Sequence, residues 1–200
     1  MFDRQLMINY SDTADVNKKL ITIRVQRISE ESVEKLERAI SDAHQYKQSV
    51  LPIVIDSTGG CAYCAIAMSE MIKSSDIKIA TIVESRAMSS GALLFSCGHF
   101  GFRYIGKNAI VMLHDVKTSN TGKVEEIKSD AKESERLNNV MYELMAQNCG
   151  HENSFFKKMV HDNSHADLYL NAEDCIKCNM ANHIKVPKFK SVIKVEYELF

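Results

Sequence analysis

The chain is poor in the residues that break regular structure: 200 residues include only 2 prolines and 8 glycines. With 45% apolar residues, that scarcity excludes a disordered or collagen-like chain and favours a folded, mostly regular one. Charge excess is equally scarce. Lys and Arg number 25 against 26 Asp and Glu, a net charge of -1, and the basic residues are scattered. Nucleic-acid binding is therefore not expected. No apolar run approaches the length needed to span a bilayer, so no membrane partner is expected either. The opening residues Met1-Phe2-Asp3-Arg4-Gln5 lack a charged-then-apolar leader layout, and a cytoplasmic location is expected. Internal repeats, low-complexity stretches and linkers are missing as well. One domain over 1–200 is expected, with an N-terminal segment at 1–19, a projecting region at 117–148 and a tail at 185–200.

Six cysteines are present, four of them in two close pairs, Cys61/Cys64 and Cys175/Cys178. The spacing suits a Cys₄ zinc site. Both pairs, however, fall in helical segments among Ala, Ile and Met, without a turn residue to shape a zinc knuckle. They read as small buried hydrophobes, and no metal and no cofactor is expected.

Periodicity supplies the architecture. Ile21, Ile23 and Val25 alternate with polar residues, as in a half-buried strand. Ser29 then begins a helix with Glu30 and Glu31 in its first turn and Val33, Leu36, Ile40 and Ala43 on one face. Val50 to Ile55 is a continuous apolar strand ending in Asp56-Ser57-Thr58-Gly59-Gly60, and a helix with Ala65, Met68, Met71 and Ile72 follows. Strands are expected at Ile77 to Val83 and Ala109 to Leu113, and a long helix at Lys123 to Asn148 whose first half is almost wholly polar. Phe155 to Val160 and Ala172 to Ala181 read as helices around a polar loop at 161–167. Alternation from Lys194 to Leu199 suggests an edge strand. Strand–helix–strand order with short connections implies an α/β fold with a mostly parallel sheet.

In such folds functional groups gather at the carboxyl ends of the strands. Gly60, Ser89 and His114 all fall there. Ser89 lies in Arg86-Ala87-Met88-Ser89-Ser90-Gly91-Ala92, between a strand and an apolar helix. A serine at that kind of turn, backed by small residues, is how several hydrolases present a nucleophile. Alone, Ser89 reads equally well as a helix cap, Gly59-Gly60 as a tight turn and His114 as a hydrogen-bonded strand-end histidine.

These residues resemble those of the proteolytic subunit of the Clp protease (ClpP). That family has Asn-Ser-Pro-Gly-Gly where this chain has Asp56-Ser57-Thr58-Gly59-Gly60. Its Ala-Ser-Met-Gly-Ala is matched by Met88-Ser89-Ser90-Gly91-Ala92, and its Val-Met-Ile-His by Val111-Met112-Leu113-His114. Glu143-Leu144-Met145-Ala146 is identical to the family's stretch. The resemblance covers roughly 21–184. It implies a ClpP/crotonase-type β-α-β superhelix with a protruding handle helix, and a serine endopeptidase acting on unfolded polypeptides or peptides. By that resemblance Ser89 is the nucleophile and His114 the general base, and the backbone N–H groups of Gly60 and Ser90 form the oxyanion hole. Asp167 is the third member, because Asp167-Leu168-Tyr169-Leu170-Asn171-Ala172-Glu173 matches Asp-Arg-Phe-Leu-Ser-Ala-Glu once a four-residue insertion is placed in the preceding loop. An ungapped register instead selects Asn163, with Asp162 beside it.

The resemblance further implies a homo-oligomer of heptameric rings, singly or stacked, and an AAA+ unfoldase partner. Two departures stand out. Asp115-Val116 replaces the family's Gln-Pro after the histidine, and His165-Ala166 replaces an Asp-Arg pair that joins rings. Competing readings are an inactive ring subunit and a crotonase-type acyl-CoA enzyme, which shares the fold and the Gly-Gly oxyanion hole without needing Ser89 and His114 together.

Overall fold

The computed structural model describes residues 6–11 and 20–194. Its main sheet runs through a strand whose odd-numbered side chains, Leu51, Ile53 and Ile55, are fully buried. Each such side chain contributes on the order of 1.5–3 kcal/mol relative to exposure. This strand, β3 (Val50–Ser57), follows β2 (Ile23–Val25) and α1 (Glu30–Gln45). The backbone N–H of Ser29 donates to Ser32 Oγ at 2.9 Å, which closes the start of α1. Next come α2 (Ala62–Lys73) and β4 (Lys78–Met88). Leu36, Ala39 and Ala43 of α1 pack with Ala65, Met68 and Ile72 of α2 on the inner face of β3 and β4. Val50, Ala80 and Ile82 form a smaller apolar cluster on the opposite face.

β4 is longer than the apolar run Ile77 to Val83 suggests, and its length has a structural use. Its first half pairs with β5 (Arg103–Ile105) through Thr81 to Val83, and its last residues, Arg86 to Met88, pair with β6 (Ile110–Leu113). One strand thus changes neighbours part-way, and its end lies beside the end of β6. A short helix, α3 (Ser90–Ser96), leaves that end and is buried throughout.

The long helix, α4 (Val124–Cys149), is exposed over its first turns, and its buried residues begin at Leu137. Gly150 ends it in the left-handed region. Then follow α5 (Phe155–Asp162), β7 (Leu168–Leu170), α6 (Ala172–Lys177) and β8 (His183–Ile184). The polar loop therefore begins two residues later than expected, with His161 and Asp162 in the last turn of α5. α6 stops at Lys177 rather than Ala181, because Asn179 takes a positive φ of 53°.

The seven-stranded sheet has the order β2-β3-β4-β5-β8, with β6 joined to β4 and to β7. All pairs are parallel except β6–β7. Separately, β1 (Leu6–Ser11) pairs in parallel with β9 (Phe189–Lys194). Lys194, the first residue of the expected tail strand, lies in β9, and residues 195–199 of that expectation lie outside the described residues. Most of the N-terminal segment, 1–5 and 12–19, lies outside them too. Among the described residues no helix is long and apolar enough to cross a membrane.

Candidate active site

The β4–α3 junction forces Ser89 into an unusual backbone state, φ 54° and ψ -125°. A non-glycine residue pays for that conformation, and it persists only where surroundings over-determine it. Here they do. Ser89 N–H donates to Met112 O on β6 at 2.8 Å, and Ser89 O accepts from Ala92 N–H at 2.8 Å. The first bond ties the serine to the strand that leads into His114. Beneath it lies Gly59, where an added Cβ would stand 2.8 Å from Ser89 Cβ, so no larger residue fits.

Gly60 is held against the β2–α1 connection. Ile28 N–H donates to Gly59 O and Cys61 N–H donates to Ile28 O, each at 3.0 Å. The Gly60 carbonyl is left to Ser90, whose hydroxyl donates to Gly60 O at 3.1 Å. A Cβ on Gly60 would lie 2.1 Å from Ile28 O, and its φ is +149°. Among the described residues, the N–H groups of Gly60 and Ser90 have no hydrogen-bond partner. They line the same cleft of about 340 Å³ as Ser89 and His114. Met112, Met141 and Met145 supply its apolar wall.

His114 follows β6, with its side chain only 11% exposed. Its Nδ1 is buried without a hydrogen-bond partner. The nearest carboxylate is Asp167, whose Oδ1 lies 3.9 Å away, beyond hydrogen-bond range. The same oxygen lies 3.4 Å from Lys117 Nζ. Burial, then Lys117, lower the pKa of His114 below its ordinary 6.5, against the opposing pull of Asp167 and Asp115. The extra carboxylate after the histidine thus does not prevail.

The alternatives for the third position lie elsewhere. Asp162 is exposed at the end of α5. Asn163 caps that helix, and its Nδ2 is 3.4 Å from both Ala166 O and Asp167 O, which braces the loop carrying Asp167.

Asp115 is the residue that sequence reasoning undervalued. Its Oδ1 accepts from Asn138 Nδ2 at 2.8 Å and from the Tyr142 hydroxyl at 3.1 Å, both on α4. Its Oδ2 lies 3.1 Å from His165 Nδ1. Burial pushes this carboxyl up, but hydrogen bonds from Asn138, His165 and Tyr142 and the nearby His161 outweigh it and leave the pKa lowered. No spacing rule links residue 115 to 138, 142, 161 or 165, so no sequence signal was available. The cysteine pairs do other work. Cys61 Sγ accepts from Cys64 N–H at the start of α2, while Cys175 and Cys178 are buried around α6.

A largely buried histidine and a strained serine at adjacent strand ends, in a cleft with two free backbone donors, is an arrangement suited to acyl transfer. The α/β fold with its mostly parallel sheet agrees with it. A family model described as Clp protease matches residues 8–188, and the chain belongs to that family of ClpP-like peptidases.

Proposed function

We propose that the protein is a serine endopeptidase cleaving unfolded polypeptides or peptides, with Ser89, His114 and Asp167 as its catalytic triad. The observation that carries this reading is the pairing of the strained Ser89 turn with β6 through the Met112 carbonyl, two residues before His114. Ser89 Oγ attacks the scissile carbonyl carbon while its proton passes to His114. The resulting oxyanion accepts hydrogen bonds from the N–H groups of Gly60 and Ser90. Collapse expels the amine, which leaves with the proton from His114, and an ester remains on Ser89. Water then attacks that ester as His114 takes its proton, the acid product departs, and the proton returns to Ser89. Asp167 orients His114 through Nδ1, and the methionine wall receives an apolar substrate side chain.

The working particle in this reading is a heptameric ring, stacked on a second through α4, sheltering the sites in a cytoplasmic chamber. An ATP-dependent AAA+ unfoldase supplies unfolded chains. The test is hydrolysis of a quenched, unfolded polypeptide by the full chain and by Ser89→Ala. Turnover in the first and none in the second supports it; equal turnover overturns it.

A second reading is a catalytically inactive ring subunit. The observation favouring it is the open 3.9 Å gap between His114 and Asp167, with Lys117 beside the same carboxylate oxygen. Absence of turnover in a correctly assembled ring selects it.

A further inference from the structure

The loop that replaces the family's ring-joining residues places His165 against Asp115, and this juxtaposition has a chemistry of its own. Two consecutive non-glycine residues, Ser164 and His165, adopt positive φ of 57° and 58°. His165 N–H donates back to Val160 O at 3.1 Å. The turn so formed lays the His165 ring over that of His161, with centroids 3.9 Å apart and a 36° tilt. His165 Nδ1 reaches Asp115 Oδ2 at 3.1 Å, and His161 Nε2 lies 3.9 Å from Asp115 Oδ1. One ligand atom from each of the three residues lies within 4.8 Å of the others.

Two imidazole nitrogens and one carboxylate oxygen converging in this way form the donor set preferred by zinc and similar first-row divalent cations. Ligand atoms around tetrahedral zinc stand roughly 3.3 Å apart, given metal–nitrogen bonds of about 2.0–2.1 Å. The Asp115–His165 pair already has that separation. His161, in the last turn of α5 and about a third exposed, needs only a short inward movement. The surroundings also fit. Asn138 and Tyr142 both donate to Asp115 Oδ1, which fixes the carboxylate plane and leaves Oδ2 toward His165. Hydrogen bonds of this kind orient metal-ligating carboxylates.

We propose that Asp115, His161 and His165 bind one divalent cation of the zinc class, with water completing its coordination. The bound ion clips the 163–167 loop to the residue that follows His114, and so holds Asp167 near the histidine. That consequence rests on the peptidase reading; the binding itself does not.

The test uses the untagged full chain, freed of metal by a chelator and titrated with Co²⁺ alone, then displaced with Zn²⁺. Saturation at one Co²⁺ per chain is expected, with the intense visible absorption of a four- or five-coordinate ion. Ser89→Ala should bind identically, which separates this result from any failure of the peptidase reading. His161→Gln and His165→Gln, both checked for fold by circular dichroism, should each weaken binding at least ~10-fold. Absence of saturable binding would overturn the proposal. So would unchanged affinity in both variants, or a near-ultraviolet thiolate-to-metal band assigning the ion to cysteines.

Discussion

His114 Nδ1 and Asp167 Oδ1 stand 3.9 Å apart, with Lys117 Nζ 3.4 Å from the same carboxylate oxygen. The carboxylate thus stands between two basic side chains. If Asp167 is the orienting residue, Asp167→Asn should keep its fold and lose on the order of 10²–10⁴-fold in peptide turnover. Steady-state kinetics beside a thermal melt would measure both. Turnover within twofold of the parent chain would remove Asp167 from the mechanism.

Lys117→Met tests the competition from the other side. Removing the cation frees Asp167 and also removes one of the influences that lower the pKa of His114. Turnover at neutral pH should be maintained or raised, while Asp167→Asn made in the same background should still abolish it. A loss comparable to that of Asp167→Asn would show that the lysine itself is required.

Gly60→Ala should fail structurally and catalytically. The new Cβ would meet Ile28 O at 2.1 Å in a backbone state that side chains rarely adopt. A loss of about 1–3 kcal/mol in stability is expected from the backbone alone. Denaturant titration reads it directly. A variant as stable as the parent would mean that the Ile28–Gly60 bridge yields without cost.

Stability should fall on mild acidification through His99. Its Nδ1 accepts from Ile79 N–H at 3.0 Å, a role open only to the neutral ring. Burial first, and Lys78 second, lower its pKa below 6.5. The unfolded chain therefore takes up the proton before the folded one. This contribution is fully present above about pH 6.5 and is lost as pH falls from there toward the folded-state pKa. Melting temperatures between neutral and mildly acid pH should decline less steeply for His99→Gln than for the parent. Parallel slopes would contradict this account of His99.

The polar start of α4 leaves two apolar side chains in solvent, Val124 at 66% and Ile127 at 42% exposure. If α4 stacks one ring on another, Ile127→Asp should halve the particle mass measured by light scattering. A mass unchanged from that of the parent would exclude Ile127 from the contact.

Much of this architecture was legible because its signals are local. The alternation at Ile21–Gln26, the apolar run at Val50–Ile55 and the helical faces of α1 and α2 each lie within one segment. The convergence of Ser89, Gly60 and His114 on one cleft was legible because each ends or follows a readable strand. β5, β7 and β8 were not, since their two or three residues, unlike those of β2, are not part of a longer alternating or apolar run. The end of β4 was hidden by the exposed Glu84, Ser85 and Arg86, which interrupt the apolar run while the strand continues toward β6. The relations among Asp115, His161 and His165 were also out of reach, because a tertiary turn through two left-handed residues creates them.

An activated nucleophile at Ser89 should react covalently with a fluorophosphonate probe. The assembled full chain is treated with the probe, digested, and the modified peptide sequenced by mass spectrometry. One adduct per chain on Ser89 is expected, absent from Ser89→Ala and strongly slowed in His114→Ala. An unmodified Ser89 in an assembled, folded particle would contradict the account.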